Sequence, residues 1–233
     1  MLRSKWLQFG CRAEFKNFVA DLQKRQFDSE SGRGFELVSR GASHLKAKFI
    51  ERISTIETVT DPYGVISELQ TVRYNKTNFY LHICPTSNFK YILEINSPPR
   101  SVRPLVEALE SLCNGVTVGE LDLQLLDVYK KLSFESRSIR IARIKVSKLR
   151  LTPDSEAKVD FVSLRDAYAD FIRAFGEIAV EFEKLKFDRP FGNKPHCMEI
   201  NRNGLVSVDE YFEEQVREFL LGYLAVDYQQ LRS

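Results

Sequence analysis

Between residues 44 and 96, short stretches rich in β-branched and aromatic residues are each closed by turn-forming residues. This punctuation constrains the fold more than any other feature, because strands joined by tight turns pair antiparallel. The first arm runs from about Leu45 to Thr60. Asp61-Pro62-Tyr63-Gly64 then makes a strong turn: Asp opens it, Pro has the fixed φ its second position needs, and Gly closes it. Val65 to Tyr74 is the second arm, Asn75-Lys76-Thr77-Asn78 the next turn, and Phe79 to Cys84 the third arm. Pro85 to Asn88 turns the chain again into a fourth arm, Phe89 to Ile95. Phe49, Ile53 and Ile56 also suit a helix, but the β-branched run up to Thr60 decides for strand.

Around this meander the pattern predicts helices and further strands. Residues 2–9 read as a short strand or an arm, and Ala13 to Gln26 as an amphipathic helix. Residues 28–34 (DSESGRG) read as a loop. Ser101 caps a helix over Val102 to Cys113, and Thr117 with Glu120 makes a capping box for a helix through about Leu132. Pro153 to Asp160 is expected as loop, Val162 to Phe175 as helix, Ile178 to Phe187 as strand and Asp188 to Pro195 as loop. Cys197–Asn201 and Leu205–Val208 pair across Asn203-Gly204, and Asp209 caps a last helix through about Ala225. The expected class is α+β with a mostly antiparallel sheet. It has a four-strand meander in the first half, a second smaller sheet in the second half, and helices packed on one face. Two sub-domains, 1–115 and 116–233 with a seam at Asn114-Gly115, fit about as well as one continuous domain.

The charge is unevenly placed. The net charge is only +2, yet residues 136–153 (SRSIRIARIKVSKLRLTP) hold six cations and no acid, while 154–233 hold ten cations and sixteen acids. The six are Arg137, Arg140, Arg143, Lys145, Lys148 and Arg150. Apolar residues alternate among them, but their parity slips between Ile141 and Ile144 and again between Val146 and Leu149. Keeping all of them inward requires a bulge or bend near Ala142 and another near Ser147, which then gathers the cations outward.

That cationic strand is the basis for expecting a non-enzymatic nucleic-acid-binding subunit, within a larger complex. Cations spaced along a strand can follow a phosphate backbone. Arg73 and Lys76, beside the aromatics Tyr74, Phe79 and Tyr80, extend the candidate interface, with Lys46, Lys48 and Arg52 nearby. One alternative is a Mg²⁺-dependent nuclease using Asp61, Glu68 and Gln70, although Asp61 already serves its own turn. Another is a protein–protein adaptor or structural subunit, in which the cationic strand meets the acidic C-terminal segment or a partner, or the last helix forms a homo-oligomer surface.

No phosphate-cradling glycine loop, nucleophile elbow or HExxH motif is present in the sequence. His82 with Cys84, and His196 with Cys197, have zinc-ligand chemistry at the wrong spacing, so no metal or other cofactor is expected. The four Cys lie far apart, as free thiols of a reducing compartment do. No signal-peptide core and no window near the ~18 apolar residues of a membrane span is found. The expectation is a cytoplasmic protein without a membrane partner.

Overall fold

The computed structural model describes residues 1–84, 89–113, 115–135, 139–152, 154–176, 180–191 and 194–230. Two compact units share the chain: residues 9–83 with 91–118, and residues 1–8, 84–90 and 119–233. Strand β1 (Leu2–Cys11) supplies residues to both. The class is α+β, and the pairings between its named strands are antiparallel. Among the described residues no helix is long and apolar enough to cross a membrane.

The first of these units holds α1 (Phe15–Lys24), β2 (Arg33–Arg40), β3 (His44–Thr60), β4 (Ile66–Ile83), β5 (Tyr91–Asn96) and α2 (Arg103–Glu110). β2 pairs β3, β3 pairs β4 and β4 pairs β5. Phe18, Val19 and Leu22 of α1 are buried, as are Phe35, Leu45, Phe79, Leu81 and Leu93 of the strands. Phe9 and Phe18 meet edge to face at 6.0 Å. Two expectations fail here. β2 begins inside the stretch read as a loop, and no turn interrupts β4 at Asn75–Asn78. Asn75, Lys76, Thr77 and Asn78 stay in register with Glu51, Ile50, Phe49 and Lys48. The four residues contain neither Gly nor Pro, so nothing forces the chain to reverse. The segment 44–96 therefore forms three strands, with β2 as the fourth. The turn expected at 85–88 lies outside the described residues.

The second unit contains α3 (Leu125–Glu135), β7 (Arg140–Thr152), β8 (Ser155–Val162), α4 (Ala167–Phe175), β9 (Glu181–Phe191), β10 (Lys194–Asn201), β11 (Leu205–Val208) and α5 (Glu213–Gln230). β6 (Val116–Glu120), at its border, pairs with β1. The strand order is β1-β11-β10-β9-β7-β8. Leu185, Phe187, Ile141, Ile144, Val146, Ile200, Phe171 and Leu220 make its core.

Four expectations are corrected in this unit. The helix expected from Thr117 is the strand β6, because Val116-Thr117-Val118 is β-branched and Gly119 disfavours helix; the helix starts at Leu125. Of the loop expected at Pro153–Asp160, Ser155–Asp160 belongs to β8, whose Ala157, Val159 and Phe161 are half-buried while Glu156, Lys158 and Asp160 face out; Pro153 lies outside the described residues. α4 starts only at Ala167, where the Asp166 carboxylate accepts the Ala169 N–H at 2.8 Å. Of the loop expected at 188–195, Asp188–Phe191 and Lys194–Pro195 instead extend the β9–β10 ladder, in which Cys197 pairs Asp188 and His196 pairs Arg189; residues 192 and 193 lie outside the described residues. The Asn203-Gly204 hairpin is as read. The last helix is entered through a 3-10 turn at Glu210–Phe212.

β7 carries both expected bulges. Its register against β9 shifts between Ile141 and Arg143, and against β8 between Val146 and Leu149. Lys148 sits in the second with φ 57°. Ile141, Ile144, Val146 and Leu149 are all buried, and Arg140, Arg143, Lys148 and Arg150 are exposed.

Candidate interaction surface

The cations of β7 face outward, but they do not face open solvent alone. β7 lies between β8 and β9, and those two strands supply its counter-charges. Arg140 meets Asp188 at 3.5 Å, and Arg143 Nε donates to Asp160 Oδ1 at 2.6 Å. Lys145 lies 3.7 Å from Glu183, Lys148 donates to Glu181, and Arg150 is 4.0 Å from Glu156. All five described cations of the strand thus have a carboxylate. Arg137 lies outside the described residues. Hydrogen bonds to the carboxylates hold their pKa values down: from Arg143 to Asp160, from Lys148 to Glu181 and from Ser147 to Glu183. The same contact holds the Arg143 guanidinium above its ordinary value.

The network extends into a cleft of about 520 Å³ lined by Lys145, Glu181, Glu183, Lys184 and Arg202. Arg202 donates to Asp122 and, at 2.5 Å, to Glu181, while Lys184 meets Glu199 at 2.8 Å. The Asp122 hydrogen bond raises the Arg202 pKa and lowers that of Asp122. Each cation of this cleft is neutralised in place, so the cleft presents no net positive field to an anion. The acidic excess after residue 153 was legible in the sequence; its position on the strands flanking β7 was not.

The remaining candidates lie on β3 and β4. Beyond the Arg33–Glu51 pair β2 contributes no partner, and β5 pairs only with Asn78–Ile83. From Ile53 to Thr60 and from Ile66 to Arg73 the two strands pair with each other as a two-stranded ribbon. Both its outer edges lack a described ladder partner. Every residue from 52 to 76 is exposed except the half-buried Thr71. Among the described residues, nine of the fourteen exposed large apolar side chains are here: Ile53, Ile56, Val59, Tyr63, Val65, Ile66, Leu69, Val72 and Tyr74. Side chains alternate along a strand, so Ile56, Ile66, Val72 and Tyr74 share one face and Ile53, Val59 and Leu69 the other.

Arg73 and Lys76 lie at the base of this ribbon, with no carboxylate partner among the described residues. Tyr74 between them is exposed, with its ring edge-to-face on Phe27 at 5.9 Å. Phe79 is fully buried, which removes it from any stacking surface, and Tyr80 stacks on His82 and takes Lys46 over its ring at 5.1 Å. Lys48 is paired to Glu36 at 2.7 Å.

The nuclease candidates share the ribbon without assembling a site. Asp61 Oδ1 accepts the N–H groups of Tyr63 and Val65 at 2.8 and 2.9 Å, closing the turn. Glu68 and Gln70 share one face, and Gln70 donates to Ser54 at 3.0 Å. Among the described residues no three His, Cys, Asp or Glu groups are placed to hold a metal ion. The last helix, a candidate homo-oligomer surface, instead buries Val216, Leu220, Tyr223 and Leu224, and the 3-10 turn before it buries Phe212. Phe212, Val216 and Phe219 line a cavity of about 190 Å³ with Phe187 and Val208. No protein-family model matches the chain, and no curated protein matches it.

Proposed function

We propose that the chain is a non-enzymatic protein-interaction subunit whose binding surface is the β3–β4 ribbon. One observation carries this reading: a two-stranded ribbon open at both edges, exposed along its length, with apolar side chains on both faces. Such a ribbon is marginal by itself in water, and open edges recruit further strands. A solvated face spends its positions on polar residues; this one places Ile, Val, Leu and Tyr there. Main-chain edges supply binding affinity and the alternating side chains supply register. A photoreactive residue in place of Leu69, activated in cells, is expected to form protein adducts. The same residue in place of Leu164, an exposed apolar position elsewhere, is expected to form none. Equal yields at both positions refute the assignment.

A second reading, nucleic-acid binding, is favoured by Lys76, which shares a face with exposed Tyr74 at the ribbon base, and by Arg73 on the opposite face. It no longer draws on β7, whose described cations are paired. Salt-sensitive binding of single-stranded RNA or DNA that is lost in Arg73→Ala with Lys76→Ala supports it, and salt-insensitive binding removes it.

A further inference from the structure

We infer that the partner of the ribbon is the ribbon of a second copy of this chain, laid antiparallel to the first. This inference rests on the protein-interaction reading above and names its partner. Charge carries it. Between residues 54 and 72 the ribbon has three acids, Glu57, Asp61 and Glu68, and no Lys or Arg. Its base, residues 50–53 and 73–76, has Arg52, Arg73 and Lys76 against one acid, Glu51. The tip is acidic and the base basic, and apolar residues continue through both.

The spacing is self-complementary. Arg52 and Arg73 sit in the cross-strand pairs Arg52–Tyr74 and Ile53–Arg73, and Glu57 and Glu68 in Glu57–Leu69 and Thr58–Glu68. The pair Thr55–Thr71 is midway between the second and third of these, and also midway between the first and fourth. A two-fold axis beside the ribbon, at the level of that pair, places Glu57 of one copy at the level of Arg73 of the other, and Glu68 at the level of Arg52. The faces agree as well. Glu57 and Arg73 share one face of the ribbon, and Glu68 and Arg52 share the other. A two-fold interface makes every such contact twice. A parallel arrangement brings acids onto acids and cations onto cations, which is costly at close range. The level pairing also sets Ile53 at the level of Leu69 of the partner, and the added strands relieve the open edges.

Sedimentation velocity of the full chain over the micromolar range tests this. The expected result is a concentration-dependent shift from monomer to dimer. Reversing the acids (Glu57→Arg with Glu68→Arg) or the cations (Arg52→Glu with Arg73→Glu) is expected to weaken the dimer by roughly a hundredfold or more. An equimolar mixture of the two reversed proteins, one ribbon cationic and the other acidic, is expected to regain it. All four positions are exposed on the ribbon, and thermal melts verify folding of each variant. The protein with all four reversals is a second check and is expected to dimerise by itself. A wild-type monomer over the whole range, or reversed variants that dimerise like wild type, overturns the inference. A wild-type monomer whose ribbon still forms adducts with a different protein in cells overturns only the second copy. Absence of both dimer and adducts overturns the interaction reading too.

Discussion

Neutralising the carboxylates that flank β7 should turn the protein into a polyanion binder. The perturbation is Asp160→Asn, Glu181→Gln and Glu183→Gln in one chain. It removes the ion-pair partners of Arg143, Lys148, Lys145 and Lys158, the last being 3.5 Å from Glu183 in the native protein. Each phosphate newly neutralised on duplex DNA adds about 0.9 to the slope of log affinity against log salt, so four freed cations add about three to four. Fluorescence anisotropy of labelled duplex over a salt series reads this directly. The melting midpoint should stay near that of wild type, because exposed ion pairs contribute little to stability. A triple variant with wild-type affinity and slope refutes the claim that these carboxylates mask the strand. Acid should act in the same direction. The pKa of Asp160 is held below its ordinary 3.8, and those of Glu181 and Glu183 below 4.5. A carboxylate depressed by folding stabilises the folded state above its unfolded value, and that contribution is lost as pH falls through its folded value. Acid therefore unmasks the β7 cations only in the range below about pH 4.

Further outcomes follow from particular contacts. Gly204 has φ 80°, and an added Cβ would stand 2.5 Å from the Trp6 carbonyl oxygen, so Gly204→Ala should cost about 2 kcal/mol or more in urea unfolding. Phe79→Ala, at a fully buried position between β3 and β5, should cost about 3–5 kcal/mol by the same assay. The Cys113 thiol is pushed up to about 12, first by burial and then by Cys11 beside it, so native Cys113 should react with an aromatic disulfide near neutral pH far more slowly than in urea. Replacing residues 54–72 by Asn-Gly joins Ile53 to Arg73, which are already paired. The protein should melt within about 0.5 kcal/mol of wild type and lose its dimer; a large loss of stability would show that the ribbon supports the fold.

The local rules of β7 were legible because they follow from one strand. Apolar parity must match the buried face, so the slips after Ile141 and after Val146 require extra residues, and bulges stand there. What the cations meet was not legible, because it depends on which strands flank β7. β9 lies downstream beyond a helix, and β8 was read as loop because Pro153 and the charged residues after it resemble a turn. A strand that alternates Glu156, Lys158 and Asp160 with Ala157, Val159 and Phe161 has the right period, but its half-buried face is thin. The charge excess of the C-terminal segment was plain in composition, yet composition has no coordinates.

The ribbon was hidden for the opposite reason. Each of its local signals was read, and one reading too many divided it. Asp61-Pro62-Tyr63-Gly64 is the true reversal, with the Asp61 carboxylate binding two backbone N–H groups and Gly64 at φ 84°. Asn75–Asn78 has the polarity of a turn without a residue that demands one, and the strand passes through it. Cutting β4 there leaves two ordinary strands whose apolar residues are assigned to a core. Joining them gives 18 residues opposite the 17 of β3, longer than β2 or β5 can cover. The excess length is what exposes Ile56, Ile66 and Leu69. Period two reports that a strand has faces, but burial of those faces depends on whether a neighbour reaches as far. An apolar residue on a strand longer than its sheet stays exposed, and only a group from outside that sheet can cover it.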